Sequence, residues 1–355
     1  MQRQRLMHLK DRFEVAAHFL LKRQSYYFGI KIIVTLLIFW LLIHHSQLKV
    51  ELFSSIFEKP LFAFAIIGLF YISVLVNSWR WYRLNAVQGI RLSYYHSITP
   101  TLVGIAFNNI LPGSVGGDVI RCYYVLKKFP EQRSGALLSV FMDRVCGLMG
   151  MIVIACIVAW CRLEIFSHDN RLYYLLMVCF SMLFAGITLF GIFMLLPDKI
   201  GLSDWLKQRF MHHRWVQPII SILEAMRVYR QSKLVLMECL LVSIVNQLVL
   251  LMVILLVNRM MGLPNLSAFD YILALTIGQI ANLIPLTPGG VGIGEAAFAN
   301  IVLMLNPGII GAYATVFFAF RLLITVAYLP GIVLGIFGLK LLHNQKLGEV
   351  PTIIH

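Results

Sequence analysis

Asn109-Ile-Leu-Pro112-Gly113-Ser-Val-Gly116-Gly117 and Asn282-Leu-Ile-Pro285-Leu-Thr-Pro288-Gly289-Gly290 are one motif written twice, Asn-x-x-Pro-x-x-x-Gly-Gly. Each copy interrupts an apolar run with residues that cannot continue a helix, and each is soon followed by an acid, Asp118 or Glu295. Around them lies a chain of 355 residues that is 59% hydrophobic and 13% charged, with a mean hydropathy of +0.81. That balance belongs to an integral membrane protein and not to a soluble domain. Backbone groups freed by Pro and Gly at bilayer depth need partners from protein or cavity water, because lipid has none to give. Two matched interruptions in two halves of a membrane chain are the strongest pointer a sequence gives to a transporter's binding site.

Working outward, charge places the segments. Residues 1–26 form a basic segment with Arg3, Arg5, Lys10, Arg12, Lys22 and Arg23. No small-residue cleavage site follows the apolar run after it, so that run is expected to be a retained span and the basic segment to stay cytoplasmic. The first transmembrane half is expected over 27–196, with a hairpin at 92–126. In it, Trp79-Arg80-Trp81-Tyr82-Arg83 is read as an interfacial belt, and Arg80 and Arg83 as anchors. A basic cytoplasmic loop over 197–233 carries Ile219, Ile220, Leu223 and Met226 at helical spacing, which suggests an amphipathic helix on the membrane surface. The second half is expected over 234–342 with a hairpin at 269–305, followed by a cytoplasmic tail, 343–355. Positive charge flanks the first hairpin and not the second, so the two should insert from opposite sides. The expected fold class is an all-α polytopic membrane protein with inverted repeats, each holding a Pro/Gly-broken re-entrant hairpin. Pro112, Gly113, Pro285, Pro288 and Gly292 are the expected hinges. Six spans, or eight or more, follow, according to whether the hairpin arms stop midway or cross.

The net charge of +14 is explained by positive-inside topology and anionic lipid, which leaves no need for nucleic acid. Six cysteines in or beside apolar runs, without CxxC spacing, read as small buried hydrophobes. Gly290-x-Gly292-x-Gly294 lacks the Gly-Lys-Ser/Thr ending of a nucleotide loop, and His44-His45 and His212-His213 are adjacent pairs that diverge on a helix. No cofactor and no metal are therefore expected, and no hydrolase or protease motif is present.

Taken in order, Trp79-Arg80-Trp81, Asn109-x-x-Pro112-Gly113-x-x-Gly116-Gly117-Asp118-x-x-Arg121, Asp143-Arg144 and Pro285-x-x-Pro288-Gly289-Gly290-x-Gly292-x-x-Glu295 resemble the flippase-like transmembrane domain of the lysylphosphatidylglycerol synthase family. The resemblance covers nearly the whole chain and implies movement of a polar-headed lipid between leaflets. Bifunctional members continue into a soluble aminoacyl-transferase domain, whereas this sequence ends at His355, so synthase activity is not expected with it.

The residues themselves give candidate roles. Gly116-Gly117 opens an arm whose free N–H groups and positive dipole end suit an anion, with Asp118 in its first turn and Arg121 one turn on. The bland alternative is an internal Asp118–Arg121 pair. Glu295 stands at the equivalent helix start, as ligand or as simple cap. Arg144 and Arg321 follow their Gly-Gly pairs by similar distances inside spans, where charge is costly unless paired; Arg144 alternatively snorkels to the interface. Asp143 is the expected partner of either arginine. The expected substrate-binding set is thus Asn109, Gly116, Gly117, Asp118, Arg121, Asp143, Arg144, Asn282, Gly289, Gly290, Glu295 and Arg321. The expected function is translocation of a phosphate-containing, anionic or zwitterionic lipid, phospholipid or polyprenyl-phosphate-linked, by alternating access in the plasma (inner) membrane. The competing class is an integral-membrane enzyme, a transferase or hydrolase working on a lipid-linked substrate. Lipid-modifying or glycosyl-transferring membrane enzymes are the natural partner proteins.

Overall fold

A computed structural model describes residues 33–44, 49–110, 116–161, 170–199, 209, 216–284, 286–287, 290–309 and 311–336. The N-terminal segment, Pro112, Gly113, Pro285, Pro288, Gly289 and the tail 343–355 lie outside them.

Apolar composition at helical spacing gives an all-α protein with helices α1 (Ile33–His44), α2 (Pro60–Val87), α3 (Tyr94–Ile110), α4 (Gly116–Lys128), α5 (Arg133–Cys161), α6 (Asn170–Lys199), α7 (Val216–Gln231), α8 (Lys233–Met260), α9 (Ala268–Ala281), α10 (Ile293–Leu305) and α11 (Tyr313–Ile336). Among the described residues, α2, α5, α8 and α11 are long and apolar enough to cross a bilayer. The chain is a multi-pass membrane protein. Large apolar side chains such as Leu61, Phe64, Phe184 and Leu234 point outward, which in water would be a liability and in lipid is the rule. In α11 a turn at Tyr328, two residues before Pro330, marks the break that proline imposes.

Two antiparallel helices, α2 and α8, form the spine. At one end Lys59 Nζ donates to the Met260 carbonyl at 3.0 Å; at the other Arg83 pairs with Glu238 at 2.7 Å. Between these ends, Ser73 and Asn77 donate to Asn246 Oδ1. The helix pair α3–α4 leaves from the C-terminal end of α2, and the pair α9–α10 from the C-terminal end of α8. Because the spine is antiparallel, the two hairpins enter the bundle from opposite ends. Close approach of glycines joins the arms: a Cβ at Gly117 would overlap the Gly104 carbonyl, and one at Gly278 would press on the Gly294 carbonyl.

Two readings of the sequence need correction. Trp79–Arg83 is not wholly an interfacial belt, and Arg80 is not an anchor; the stretch lies inside the 28-residue α2, with Trp81 wholly buried and Arg80 nearly so. Only its outer edge behaves as a belt, where Trp79 and Arg83 both donate to Glu238. The helix within 197–233 exists as α7, but its apolar face packs on protein: Ala225, Met226 and Tyr229 are buried with Leu84, Leu138, Met142 and Cys239, and Tyr229 Oη donates to the Leu84 carbonyl.

Candidate functional site

The first hairpin tip is built on two acids. Asp118, in the first turn of α4, accepts from Arg144 Nε of α5 at 2.7 Å and from Asn108 Nδ2 of α3 at 3.4 Å. The Asn108 carbonyl oxygen accepts from the Gly117 N–H at 2.9 Å. One helical step before Arg144, Asp143 takes two guanidiniums, Arg80 Nε at 2.7 Å and Arg121 NH1 at 2.8 Å. Arg80 also donates to Ser243 of α8, and the Arg121 guanidinium lies 4.4 Å over the Trp81 ring, a second counterpart for a buried cation.

At the second tip the same parts recur. Glu295, in the first turn of α10, accepts from Arg321 Nε of α11 at 2.7 Å, and its other oxygen accepts from the Gly292 N–H at 2.7 Å. Arg321 also donates to Asn282 Oδ1 at 2.7 Å. Gly290 and Gly292 take positive φ, +71° and +91°, so the chain reverses there at a conformation that side chains with a Cβ resist. Asp118 to Arg144 and Glu295 to Arg321 are both 26 residues apart, and each pair joins the second arm of a hairpin to the long helix after it.

A cavity of about 340 Å³ separates the tips, and both contribute to it. Arg80, Arg121, Arg144 and Arg321 line it against, among the described residues, a single carboxylate, Asp143. The amides of Asn77, Asn108, Asn109, Asn246, Gln247, Gln279 and Asn282 line it too. A chain this apolar that gathers four guanidiniums around one space can hold an anionic group there.

This ordered set of charges on a two-hairpin helical bundle agrees with a family model, the lysylphosphatidylglycerol synthase TM region, that matches residues 28–329. The chain belongs to that family. Comparison with curated proteins and with solved structures gives no match.

Of the expected set for this family member, Asn109, Arg121, Asp143, Arg144, Asn282 and Arg321 face the cavity, while Asp118 and Glu295 stand behind the arginines they hold. Gly116 and Gly117 open α4; Gly290 is a turn and Gly289 lies outside the described residues. Several details differ from the sequence reading. Asp143 serves Arg80 and Arg121, not Arg144 or Arg321, because adjacent helical residues point about 100° apart. Arg144 does not snorkel; it reaches back to Asp118. The internal Asp118–Arg121 pair exists only at 3.8 Å, longer than either residue's main ion pair. The helix-start N–H groups of Gly117 and Gly292 are taken by Asn108 and Glu295, since an apolar interior leaves no donor waiting. Glu295 is cap and ion-pair partner at once.

Sequence reasoning passed over Arg80 as a site residue, and with it Asn108, Asn246, Gln247 and Gln279. A signal was there: Ser73, Asn77 and Arg80 at i, i+4 and i+7 put one polar stripe on an otherwise oily helix.

Proposed function

We propose that this chain translocates a phosphate-containing polar-headed lipid across the plasma (inner) membrane by alternating access, with both termini cytoplasmic. The headgroup enters the space between the two hairpin tips and the acyl tails stay in the bilayer. The observation that carries the reading is that both tips, entering from opposite ends, bring Arg144 and Arg321 to one cavity. Its volume lies within the range of small-ligand sites, roughly 300–1,000 Å³. The arms support re-entrant insertion: at about 1.5 Å per residue, helices of 17, 13, 14 and 13 residues each fall short of the roughly 30 Å of hydrocarbon. A headgroup phosphate replaces part of what Asp118 and Glu295 give the arginines, and each exchange loosens one hairpin from the long helix behind it. The chain acts here as a carrier and not as an enzyme.

Proteoliposomes test this. Acyl-labelled phospholipid in the inner leaflet should become accessible to a membrane-impermeant quencher when the protein is present, with its chemistry unchanged. A new lipid product on thin-layer analysis would favour the enzyme reading, and unchanged leaflet distribution would sink translocation.

A further inference from the structure

The amides of the cavity wall carry information about what accompanies the phosphate. Asn246 Oδ1 is already taken by Ser73 Oγ at 2.6 Å and Asn77 Nδ2 at 3.0 Å, which turns its NH2 group the other way. Gln247 Nε2 donates to Thr276 Oγ1 at 3.2 Å, leaving its carbonyl oxygen over. The Gln279 carbonyl oxygen is buried and, among the described residues, has no hydrogen-bond partner. All three side chains line the cavity. The wall thus offers acceptors as well as donors. A phosphodiester anion has oxygens for the guanidiniums but no proton to give, so it leaves the glutamine carbonyls unmatched.

Two kinds of group donate to such carbonyls, an ammonium or a hydroxyl. Charge chooses between them. Among the described residues the cavity's one carboxylate, Asp143, already accepts from Arg80 and Arg121, and the two acids at the hairpin tips are held behind Arg144 and Arg321. A cationic headgroup would sit among four guanidiniums with no carboxylate to itself, in a setting where like charges are poorly screened. A hydroxyl carries no such cost and both donates and accepts.

We infer that the lipid headgroup this cavity takes is a phosphodiester bearing an uncharged, hydroxyl-rich unit, a glycerol or a sugar, with the phosphate on Arg144 and Arg321 and the hydroxyls on Asn246, Gln247 and Gln279. The inference rests on the translocation reading of the same cavity and narrows its substrate. It also sets an aminoacylated, cationic lipid apart as a poor ligand for this chain, whatever other members of the family carry.

The test is native mass spectrometry of the full chain in phosphatidylcholine nanodiscs. The nanodiscs are doped equally with phosphatidylinositol, phosphatidylglycerol, phosphatidylethanol and lysylphosphatidylglycerol. Phosphatidylethanol keeps the single negative charge and has no hydroxyl. Phosphatidylinositol and phosphatidylglycerol should be retained about tenfold over the other two, the worth of one or two net hydrogen bonds. The double variant Gln279→Leu, Asn246→Leu should erase the preference over phosphatidylethanol and keep phosphodiester retention. Lysylphosphatidylglycerol retained as well as phosphatidylglycerol, or phosphatidylethanol as well as phosphatidylinositol, overturns the inference, and so does a double variant with its preference intact. The wild-type ranking decides the matter even if the variant fails to fold. If the ranking holds and no lipid crosses in vesicles, translocation alone fails; if lipids cross without the ranking, only the headgroup assignment fails.

Discussion

The two hairpin tips hold the same ion pair at the same distance, 2.7 Å, and differ in how far water can reach it. Glu295 and Arg321 have side-chain exposures of 0% and 14%, against 12% and 38% for Asp118 and Arg144. At the second tip the acid also caps its own helix and the arginine clasps the other arm through Asn282. At the first, the other arm touches the acid only through a 3.4 Å amide contact. Aromatic packing around Phe298, Phe317 and Phe320 encloses the second tip; the cluster beside the first is smaller. In the alternating cycle proposed above, these unequal states make the second tip the lock and the first the working face. In a repeat-related opposite state, the roles would exchange.

The largest expected break comes from deleting the locked acid. Glu295→Ala takes from Arg321 its buried carboxylate and orphans the Gly292 N–H, so the thermal unfolding midpoint should fall by the equivalent of about 3–5 kcal/mol. Asp118→Ala leaves Arg144 where water reaches it, and the loss should stay near 1 kcal/mol. Equal losses would mean that the tips are not in different states.

Removing the cations instead should split function from folding. Without Arg321 the carboxyl of Glu295 keeps its bond from the Gly292 N–H, so Arg321→Ala is expected to yield folded protein. Charge-assisted hydrogen bonds are worth about 1.5–3 kcal/mol, or roughly ten- to a hundredfold in rate. Translocation in vesicles should drop about a hundredfold for Arg321→Ala, whose bonds to Glu295 and Asn282 are the more buried, and about tenfold for Arg144→Ala. A reversed order would mean that the exposed arginine of the first tip contributes more to the lipid's passage than the buried one of the second.

Glycines sharpen the comparison at smaller cost. A methyl at Gly117 runs into the Gly104 backbone, which cannot move without parting the arms, whereas one at Gly294 meets the end of the Asn282 side chain, which can rotate. Gly117→Ala should therefore destabilise by about 2–3 kcal/mol and Gly294→Ala by about 1, within the usual range for overpacking. The same thermal assay reads both, and a Gly294 penalty as large as that at Gly117 would show Asn282 to be held rigidly by Arg321.

How much of this was legible beforehand follows from which forces leave a trace in one-dimensional order. Composition and the Pro/Gly breaks gave the helical membrane fold and both hairpins, because lipid forbids unsatisfied backbone wherever it is not covered. Charge asymmetry gave their opposed entry. Asp118, Arg144, Glu295 and Arg321 stood out because a charge inside an apolar run must have a reason. Partner choice did not show: Asp143 and Arg144 are neighbours in sequence and serve different partners in space. Arg80 was masked by its company, since tryptophans beside an arginine look alike at an interface and in a core. Nor did the repeat register show, because the motif aligns Gly-Gly with Gly-Gly while the contacts align Gly104 with Gly278 and Gly117 with Gly294.

That register carries the smallest effect and the cleanest discrimination. The motif makes Asn109 the counterpart of Asn282; the contacts make it Asn108, which lies four residues after Gly104 as Asn282 lies four after Gly278. Asn108 bridges the arms, through the Gly117 N–H and Asp118, whereas Asn109 bonds only the Ile105 carbonyl of its own helix and is exposed. Asn108→Ala orphans a donor at a hairpin crossing and should cost about 1–2 kcal/mol. Asn109→Ala removes a bond that water can replace and should fall within about 0.5 kcal/mol of the parent. The unfolding midpoints of the two variants, compared in one detergent, decide it. If Asn109→Ala proves the more damaging, the repeats pair as the motif is written, and the equivalence of the two tips must be redrawn from that residue outward.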